Sequence, residues 1–270
     1  MATAAAGLLS ACQTAPQQPS SQLIQLRGAS EAVPVGVLGS ACIYRVELGR
    51  DEILEERSRE AATTLVTALT QQLSTTNMRA VSASAPYLCP QVTAETMKNY
   101  DLLVSGTEKA QKVTQVPVIN PDYEQKLPIE LLGKLRVPTK FDRKTKTHIA
   151  QPVDLSDAEV AQIKAAVGAD FVMIGDVGAN KLSFGALAAY SSLTAVTTVA
   201  MVNAGASTIF YQQLPPKQVS IGVYLVDLNE KVAIWSGSAV VVGKVFNSYY
   251  GDKSLPDPLA INAAVASLKP

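Results

Sequence analysis

Two hydrophobic periods alternate along the chain, and each predicts one type of secondary structure. Residues 33–46 (VPVGVLGSACIYRV) are apolar and rich in β-branched side chains, which predicts a first strand. From Asp51 onward, apolar positions recur at spacings of three and four with charged residues between them, which predicts a long amphipathic helix. These positions are Leu54, Ala62, Leu65, Val66, Leu69 and Leu73. Residues 78–84 predict a second strand, so the chain begins β-α-β.

A later helix is marked by signals at both of its ends. Ser156 and Glu159 have the spacing of a capping box, and Leu155 and Val160 stand at the positions of a hydrophobic staple. Gly168 predicts the end of the helix, because glycine readily adopts the left-handed conformation found there. The apolar face between these ends consists of Val160, Ile163 and Val167. Residues 169–174 then predict a buried strand that ends in Gly175-Asp176.

The C-terminal part of the chain predicts a β-hairpin followed by a short helix. Residues 219–225 alternate between apolar and polar side chains, residues 227–231 (DLNEK) predict a turn, and residues 232–246 predict the returning strand. Asp257 and Pro258 are typical of a helix start. The helix would bury Ile261, Val265 and Leu268.

Two other segments lack a sustained period. Residues 13–32 are rich in Gln, Pro and Ser, which predicts a tether. Residues 86–150 are interrupted by prolines and predict a loop-rich insertion, with a short strand within 100–106. The sequence therefore predicts one α/β (α+β) domain over residues 33–270, rich in β-α-β connections and closed by a β-hairpin and a helix.

Basic residues are concentrated in one part of that insertion, between Lys134 and Lys146. They are Lys134, Arg136, Lys140, Arg143, Lys144 and Lys146, against the single acid Asp142. Such a segment could bind anionic polysaccharide or lipid headgroups, because these groups attract Lys and Arg. The alternative, which the pattern favours, is a solvated loop.

Charge and composition argue against several classes of function. The 23 basic residues balance the 23 acidic residues, which argues against binding nucleic acid through a global positive charge. His148 is the single histidine, and neither paired metal-ligand spacing nor a nucleophile or phosphate-loop motif is present in the sequence. Asp101, Asp170 and Asp176 lie near predicted strands, where aspartate is usually a turn or cap residue. We therefore expect a non-enzymatic protein with no metal or cofactor.

The N-terminus predicts a lipid anchor. Residues 1–11 are uncharged, small and apolar, as in the apolar region of a secretory signal, and residues 9–12 (LSAC) resemble a bacterial lipobox. The resemblance implies that Cys12 becomes the first mature residue and carries acyl chains such as palmitate. Gln13 is not the aspartate of inner-membrane retention signals, which implies the periplasmic face of the outer membrane. The alternative is an Ala-rich leader with an incidental cysteine.

The two remaining cysteines, Cys42 and Cys89, form an even number in an oxidising compartment. Parity and compartment predict one disulfide bond between them. Two buried thiols are the alternative.

Residues 182–216 carry no charged side chain over 35 consecutive positions. Charged residues are 17% of the whole chain, against about a quarter in soluble proteins. The absence of charge from residues 182–216 accounts for part of this low value. The segment is long enough for two membrane-crossing strands and a turn, yet its small and hydroxyl-bearing residues also suit a buried helical hairpin or an oligomer interface. The side chains that would face a membrane or a second subunit are Leu187, Tyr190, Leu193, Val196, Val199 and Val202.

Several short stretches resemble the curli-secretion channel (CsgG-type) family of outer-membrane lipoproteins. They are residues 8–16 (LLSACQTAP), 61–69 (AATTLVTAL), 226–229 (VDLN) and 234–237 (IWSG). The resemblance implies a periplasmic domain that assembles into a ring, with membrane-crossing hairpins contributed by each subunit. Residues 182–216 stand where the first hairpin would leave the sheet. Only about twenty residues separate Trp235 from the predicted helix start at Asp257, and once a periplasmic strand is subtracted they are too few for two more membrane-crossing strands.

The resemblance implies a lipid-anchored homo-oligomer that works with other subunits of a secretion or surface-assembly apparatus. A CsgG-like pore, in which residues 182–216 cross the membrane, is the alternative function.

Overall fold

A computed structural model describes residues 21–47, 50–89, 102–105, 111–112, 126–142, 144, 147–182, 218–242, 261–262, 265–266 and 268. Its helices are α1 (Ser21–Arg27), α2 (Glu55–Ser74), α3 (Ile129–Leu135) and α4 (Asp157–Val167). Its strands are β1 (Val33–Glu47), β2 (Arg50–Leu54), β3 (Met78–Leu88), β4 (Leu102–Ser105), β5 (Gln111–Lys112), β6 (Lys140–Asp142), β7 (Thr147–Ile149), β8 (Gln151–Pro152), β9 (Phe171–Leu182), β10 (Gln218–Asp227) and β11 (Val232–Val242). This is a mixed α+β fold, and the predicted fold class is confirmed.

Nine of the described strands form one sheet. Its order is β5-β4-β2-β1-β9-β10-β11-β8, and β3 also pairs with β1. β1 runs parallel to β3 and β9, while β10 runs antiparallel to both β9 and β11. The β-α-β start and the C-terminal hairpin are both confirmed. A separate two-stranded sheet is formed by β6 and β7.

One face of the sheet is covered by α2. Side chains from alternate positions of β1 and β9, such as Val37 and Met173, pack with α2 residues such as Leu65 in one fully buried cluster. Gly39 and Gly175 let the helix approach, because a Cβ at either position would lie within 2.7 Å of a side-chain atom of α2. The predicted C-terminal helix contributes Ile261, Val265 and Leu268 to the same cluster.

The opposite face of the sheet is covered by α3 and α4. Leu131, Leu132 and Leu135 of α3 share a buried cluster with Val160 and Ile163 of α4. Sheet residues on this face that join the cluster include Leu38, Val172 and Ile174. The domain is therefore a three-layer arrangement in which a loop-rich part of the sequence supplies half of one outer layer.

The predicted capping box of α4 is confirmed in both directions. The Ser156 hydroxyl accepts a hydrogen bond from the Glu159 amide at 3.3 Å, and the Glu159 carboxylate accepts one from the Ser156 amide at 2.8 Å. Gly168 ends the helix in the left-handed conformation, with φ of 70°. Leu155 and Val160 lie in the same hydrophobic cluster, as the staple positions predicted.

Several predicted boundaries differ from the structure. Residues 51–54 belong to β2 rather than to the first helix, because Asp51–Ile53 pair with β1 and Asp51–Leu54 with β4. Residues 21–27 of the predicted tether form α1, whose Leu23 is fully buried in the core. The insertion 86–150 contains α3. A helix of only seven residues is unstable by itself, and the burial of its three leucines against the domain stabilises it. In each case a long-range contact outweighs a weak local preference.

Among the described residues, no helix is long and apolar enough to cross a membrane.

Lowering the pH should weaken the start of α4. A hydrogen bond from Lys134, followed by those from Ser156, lowers the pKa of Glu159 from 4.5 to about 2. The unfolded chain therefore binds this proton more readily, and the stabilisation that is present above pH 4.5 is lost as the pH falls toward 2. We expect Glu159→Gln to remove this part of the acid dependence of the thermal midpoint.

The exposed Glu130 of α3 provides the matched control. Glu130→Gln should leave the acid slope unchanged when both variants are unfolded thermally at a series of pH values. Equal slopes for the parent and Glu159→Gln would contradict the assignment.

Candidate functional site

Several predicted site residues lie outside the described residues. These are the anchor Cys12, the acidic Asp101 and the six side chains Leu187, Tyr190, Leu193, Val196, Val199 and Val202. The strands that flank the charge-free segment are described: β9 ends at Leu182 and β10 begins at Gln218. The sheet to which this segment is attached is therefore described on both sides of the segment.

Cys42 and Cys89 are joined by a disulfide bond, with their Cα atoms 4.5 Å apart. Both residues are fully buried. The Cys89 amide donates a hydrogen bond to the Ala41 carbonyl at 3.1 Å, one residue beyond the end of β3. Cys89 has a φ of 47°, in the left-handed region, so the extended backbone of β3 does not continue through the bridged residue. The disulfide therefore fixes the point at which β3 leaves β1.

At this point one edge of β1 changes its partner. β3 pairs with β1 up to Ala41 opposite Leu88, and β2 pairs with it from Tyr44 opposite Ile53. The Ile43 amide lies between the two ladders and donates to the hydroxyl of Ser58 on α2 at 2.9 Å. Ser58 is fully buried, and its hydroxyl satisfies a backbone donor that would otherwise cost free energy in the core. We name residues 41–44 with Ser58 and the disulfide the strand junction.

A row of polar side chains crosses the face of the sheet that α3 covers. Ser40 of β1, Asp176 of β9 and Gly222 of β10 are directly opposite one another in the register. The Ser40 hydroxyl donates to Asp176, and Arg136 binds the same carboxylate through two nitrogens, at 2.5 Å from Nε and 3.0 Å from the terminal nitrogen. The Arg136 side chain is 17% exposed and that of Asp176 is 27% exposed. A partly buried, bidentate ion pair thus ties the segment after α3 to the centre of the sheet.

Tyr224 completes this row on β10. A Cβ at Gly222 would lie 3.1 Å from the Tyr224 hydroxyl, so the ring folds back over the glycine. Burial raises the pKa of Tyr224, the negative charge of Asp176 raises it further, and Arg136 opposes them. Tyr224 is therefore a neutral neighbour of the ion pair at physiological pH.

A second polar group lies beside β11. The Thr139 amide donates to the Ser236 hydroxyl at 2.9 Å, and the Thr139 hydroxyl lies 2.6 Å from Nδ1 of His148. Burial lowers the pKa of His148, since the charged imidazolium is disfavoured there. The Thr139 hydroxyl also lies 2.9 Å from the Ser236 hydroxyl, so Thr139 links His148 of β7 to Ser236 of β11.

The geometry of the row favours a structural role over a catalytic one. Ser40 donates to a carboxylate that Arg136 already neutralises, whereas an activated serine nucleophile donates to a basic group such as a histidine nitrogen. In the part of the chain that is described, no group of three or more His, Cys, Asp or Glu residues could hold a metal ion.

The structure corrects the prediction that Asp176 caps a strand end. β9 continues to Leu182, so Asp176 lies in the interior of the strand. Asp170 lies in the connection between α4 and β9, where Lys164 binds its carboxylate at 2.7 Å and its carbonyl accepts a hydrogen bond from the Leu228 amide. The sequence contained a signal for the position of Asp176, because a charged residue within an apolar strand needs a partner.

The described residues of the basic segment fall into two parts, while Arg143 and Lys146 lie outside the described residues. Lys134 binds Glu159 at 2.7 Å and Arg136 binds Asp176, so both belong to the packed domain. Lys140 and Lys144 are exposed on the β6–β7 hairpin. The segment is therefore not a fully solvated loop, and its cations do not form one continuous patch. The reason is that its first two cations are paired with acidic residues that are distant in the sequence.

Comparisons with known proteins give no family for the chain. No family model matches it, and no curated protein matches it. Among solved structures, the C-terminal domain of LpoB from Salmonella enterica is 12% identical, over 83% of this chain and 92% of that chain, with a TM-score of 0.29. A TM-score this low carries no argument about fold or function, so the function has to be inferred from the chain's own residues.

Proposed function

We propose that the protein is a non-enzymatic, lipid-anchored component of the bacterial outer membrane that assembles into a ring within a secretion or surface-assembly apparatus. The observation that carries the location is the buried disulfide at the strand junction, because such bonds are rare in a reducing cytosol. Together with the lipobox around Cys12, it supports an acylated protein on the periplasmic face. Other envelope subunits are its expected partners.

The polar row supports the non-enzymatic part of the proposal. Its carboxylate, guanidinium and Ser40 hydroxyl are committed to one another across three segments of the fold. Groups that are paired in this way hold the three segments together and are not free for acid–base or nucleophilic chemistry. Assembly itself is inferred from the CsgG-type resemblance and the charge-free segment.

Acylation tests the anchor directly. The full chain would be expressed in a Gram-negative host with labelled palmitate, and a Cys12→Ala variant would serve as the control. We expect label and outer-membrane fractionation in the parent only. Label in neither protein would overturn the anchor.

Electron microscopy of the detergent-extracted parent tests the assembly. Closed rings are the expected result. A monodisperse monomer across a range of detergents would overturn the ring.

A CsgG-like pore is the second candidate, and the register of β9 and β10 favours it. These strands are antiparallel neighbours, with Ala179 opposite Val219, so the charge-free segment leaves and re-enters the sheet at one end. A hairpin that extends two paired strands needs about 9–11 residues per crossing strand, and the 35 uncharged positions supply them.

Conductance in planar bilayers separates the two candidates. A pore predicts stepwise currents from the purified parent and none from a variant lacking residues 186–213. Absence of current from a sample that contains intact rings would exclude the pore and leave the ring-forming component.

A further inference from the structure

The β6–β7 hairpin is a small two-stranded sheet with two different faces. Lys140 lies opposite Ile149, and Phe141 lies opposite His148. Directly opposed residues share a face, so the buried His148 marks the face that packs on the domain. The other face carries the exposed Lys140 and an Ile149 side chain that is 48% exposed.

This hairpin carries two exposed cations, Lys140 and Lys144, among the residues that the structure describes. Lys134 and Arg136, which precede it, are bound to Glu159 and Asp176. Lys140 and Lys144 are exposed, and the nearby Asp142 carboxylate accepts the Lys144 amide at 2.8 Å in the turn. Lys140 lies opposite the exposed Ile149, and Lys144 lies in the turn at the other end of the hairpin. Together they offer charge and apolar surface, the two features that attract a protein surface to an anionic lipid membrane.

The direction of the hairpin follows from its neighbours. β8 pairs antiparallel with β11, with Gln151 opposite Ala233 and Pro152 opposite Val232. β7 comes one residue before β8 and also packs against β11. Tracing back from β8 through β7 therefore leads toward the C-terminal end of β11, at Val242. Val242 lies opposite Gln218, so the turn with Lys144 points toward the end of the sheet where the charge-free segment is attached.

We propose that the β6–β7 hairpin, through Lys140, Lys144 and Ile149, docks on the anionic lipid headgroups of the membrane that bears the protein. The inference rests on the proposed membrane location, and it deepens it by assigning a lipid-contacting surface in addition to the Cys12 anchor. Charge complementarity, the exposed Ile149 and the direction of the hairpin toward the sheet end formed by Leu182 and Gln218 favour a lipid surface over an acidic polysaccharide.

The experiment measures partition of the full chain with Cys12→Ala onto vesicles, so that acylation plays no part. The vesicles are pure phosphatidylcholine, or phosphatidylcholine with about 30% phosphatidylglycerol. The test variant is Lys140→Gln with Lys144→Gln. The matched control is Arg79→Gln with Lys126→Gln, which removes the same charge from exposed positions on β3 and just before α3.

Each lysine near an anionic surface contributes about 1 kcal/mol, so the test variant should bind the anionic vesicles roughly 30-fold more weakly than the parent. The control pair should bind like the parent, and about 0.5 M NaCl should abolish the difference. Ile149→Ser should weaken binding both without added salt and in about 0.5 M NaCl, because salt does not screen the contribution of apolar surface.

Equal binding by the parent and the test variant would overturn the proposal, as would an equal loss in the control pair. So would binding of the parent to soluble acidic polysaccharide but not to anionic vesicles. A failure of palmitate labelling in cells would overturn the Cys12 anchor while leaving the vesicle result as measured, so the two failures are distinguishable.

Discussion

Replacing Cys42 and Cys89 together by alanine is expected to lower the free energy of unfolding by about 4 kcal/mol. The two residues are 47 positions apart, and a cross-link over a loop of that length restricts the unfolded chain by about this amount in the chain-entropy account. The loop contains β2, α2 and β3, so the loss affects the central part of the sheet. Equilibrium unfolding in guanidinium chloride, followed by circular dichroism, measures the change.

Reducing agent provides the matched comparison for the disulfide. Adding it to the parent should move the unfolding midpoint to that of the double variant, and it should leave the double variant unchanged. Cys12→Ala should retain the full stability of the parent. A parent as unstable as the double variant under oxidising conditions would show that the bond is not formed.

Replacing Asp176 by alanine is expected to cost about 2–3 kcal/mol. The substitution leaves the Arg136 guanidinium, 17% exposed, without its carboxylate, and it removes the acceptor of the Ser40 hydroxyl. Breaking a fully buried pair costs more, but the remaining exposure of both side chains reduces the effect here. Denaturant unfolding of the purified variant gives the value.

A double-mutant cycle with Arg136→Met isolates the pair. The double variant should be more stable than Asp176→Ala alone, because no unpaired guanidinium remains beside the sheet. Additive losses would show that the two side chains stabilise the domain independently. A hydrolase activity that Asp176→Asn abolishes without loss of stability would instead assign the carboxylate a catalytic role.

Elements with strong local signals were predictable from the sequence. The α4 helix has a complete capping box at Ser156 and a glycine at its end, and these contacts lie within one turn of the chain. The β10–β11 hairpin joins alternating strands through a turn in which the Asp227 carboxylate accepts the Asn229 amide. Local hydrogen bonds and periodicity suffice for both, because the interactions that form them connect near neighbours.

Elements that depend on distant partners were not predictable. Residues 51–54 continue the apolar pattern of α2, yet they form β2 because β1 and β4 offer backbone partners on either side. The short α3 lacks a long period, and its leucines are buried only because the second face of the sheet needs a cover. The basic segment likewise could not reveal that Arg136 pairs with Asp176, 40 residues away.

Local patterns in the sequence are sufficient to predict the α+β class, the ends of α4 and the C-terminal hairpin. They also raise the possibilities of an anchor at Cys12 and a bridge between Cys42 and Cys89. The folded chain is needed to show where β1 changes partner, which acids pair with Lys134 and Arg136, and that Lys140 and Lys144 remain exposed. The physical reason is that patterns report the environment a side chain needs, whereas only the folded chain specifies which distant residue provides it.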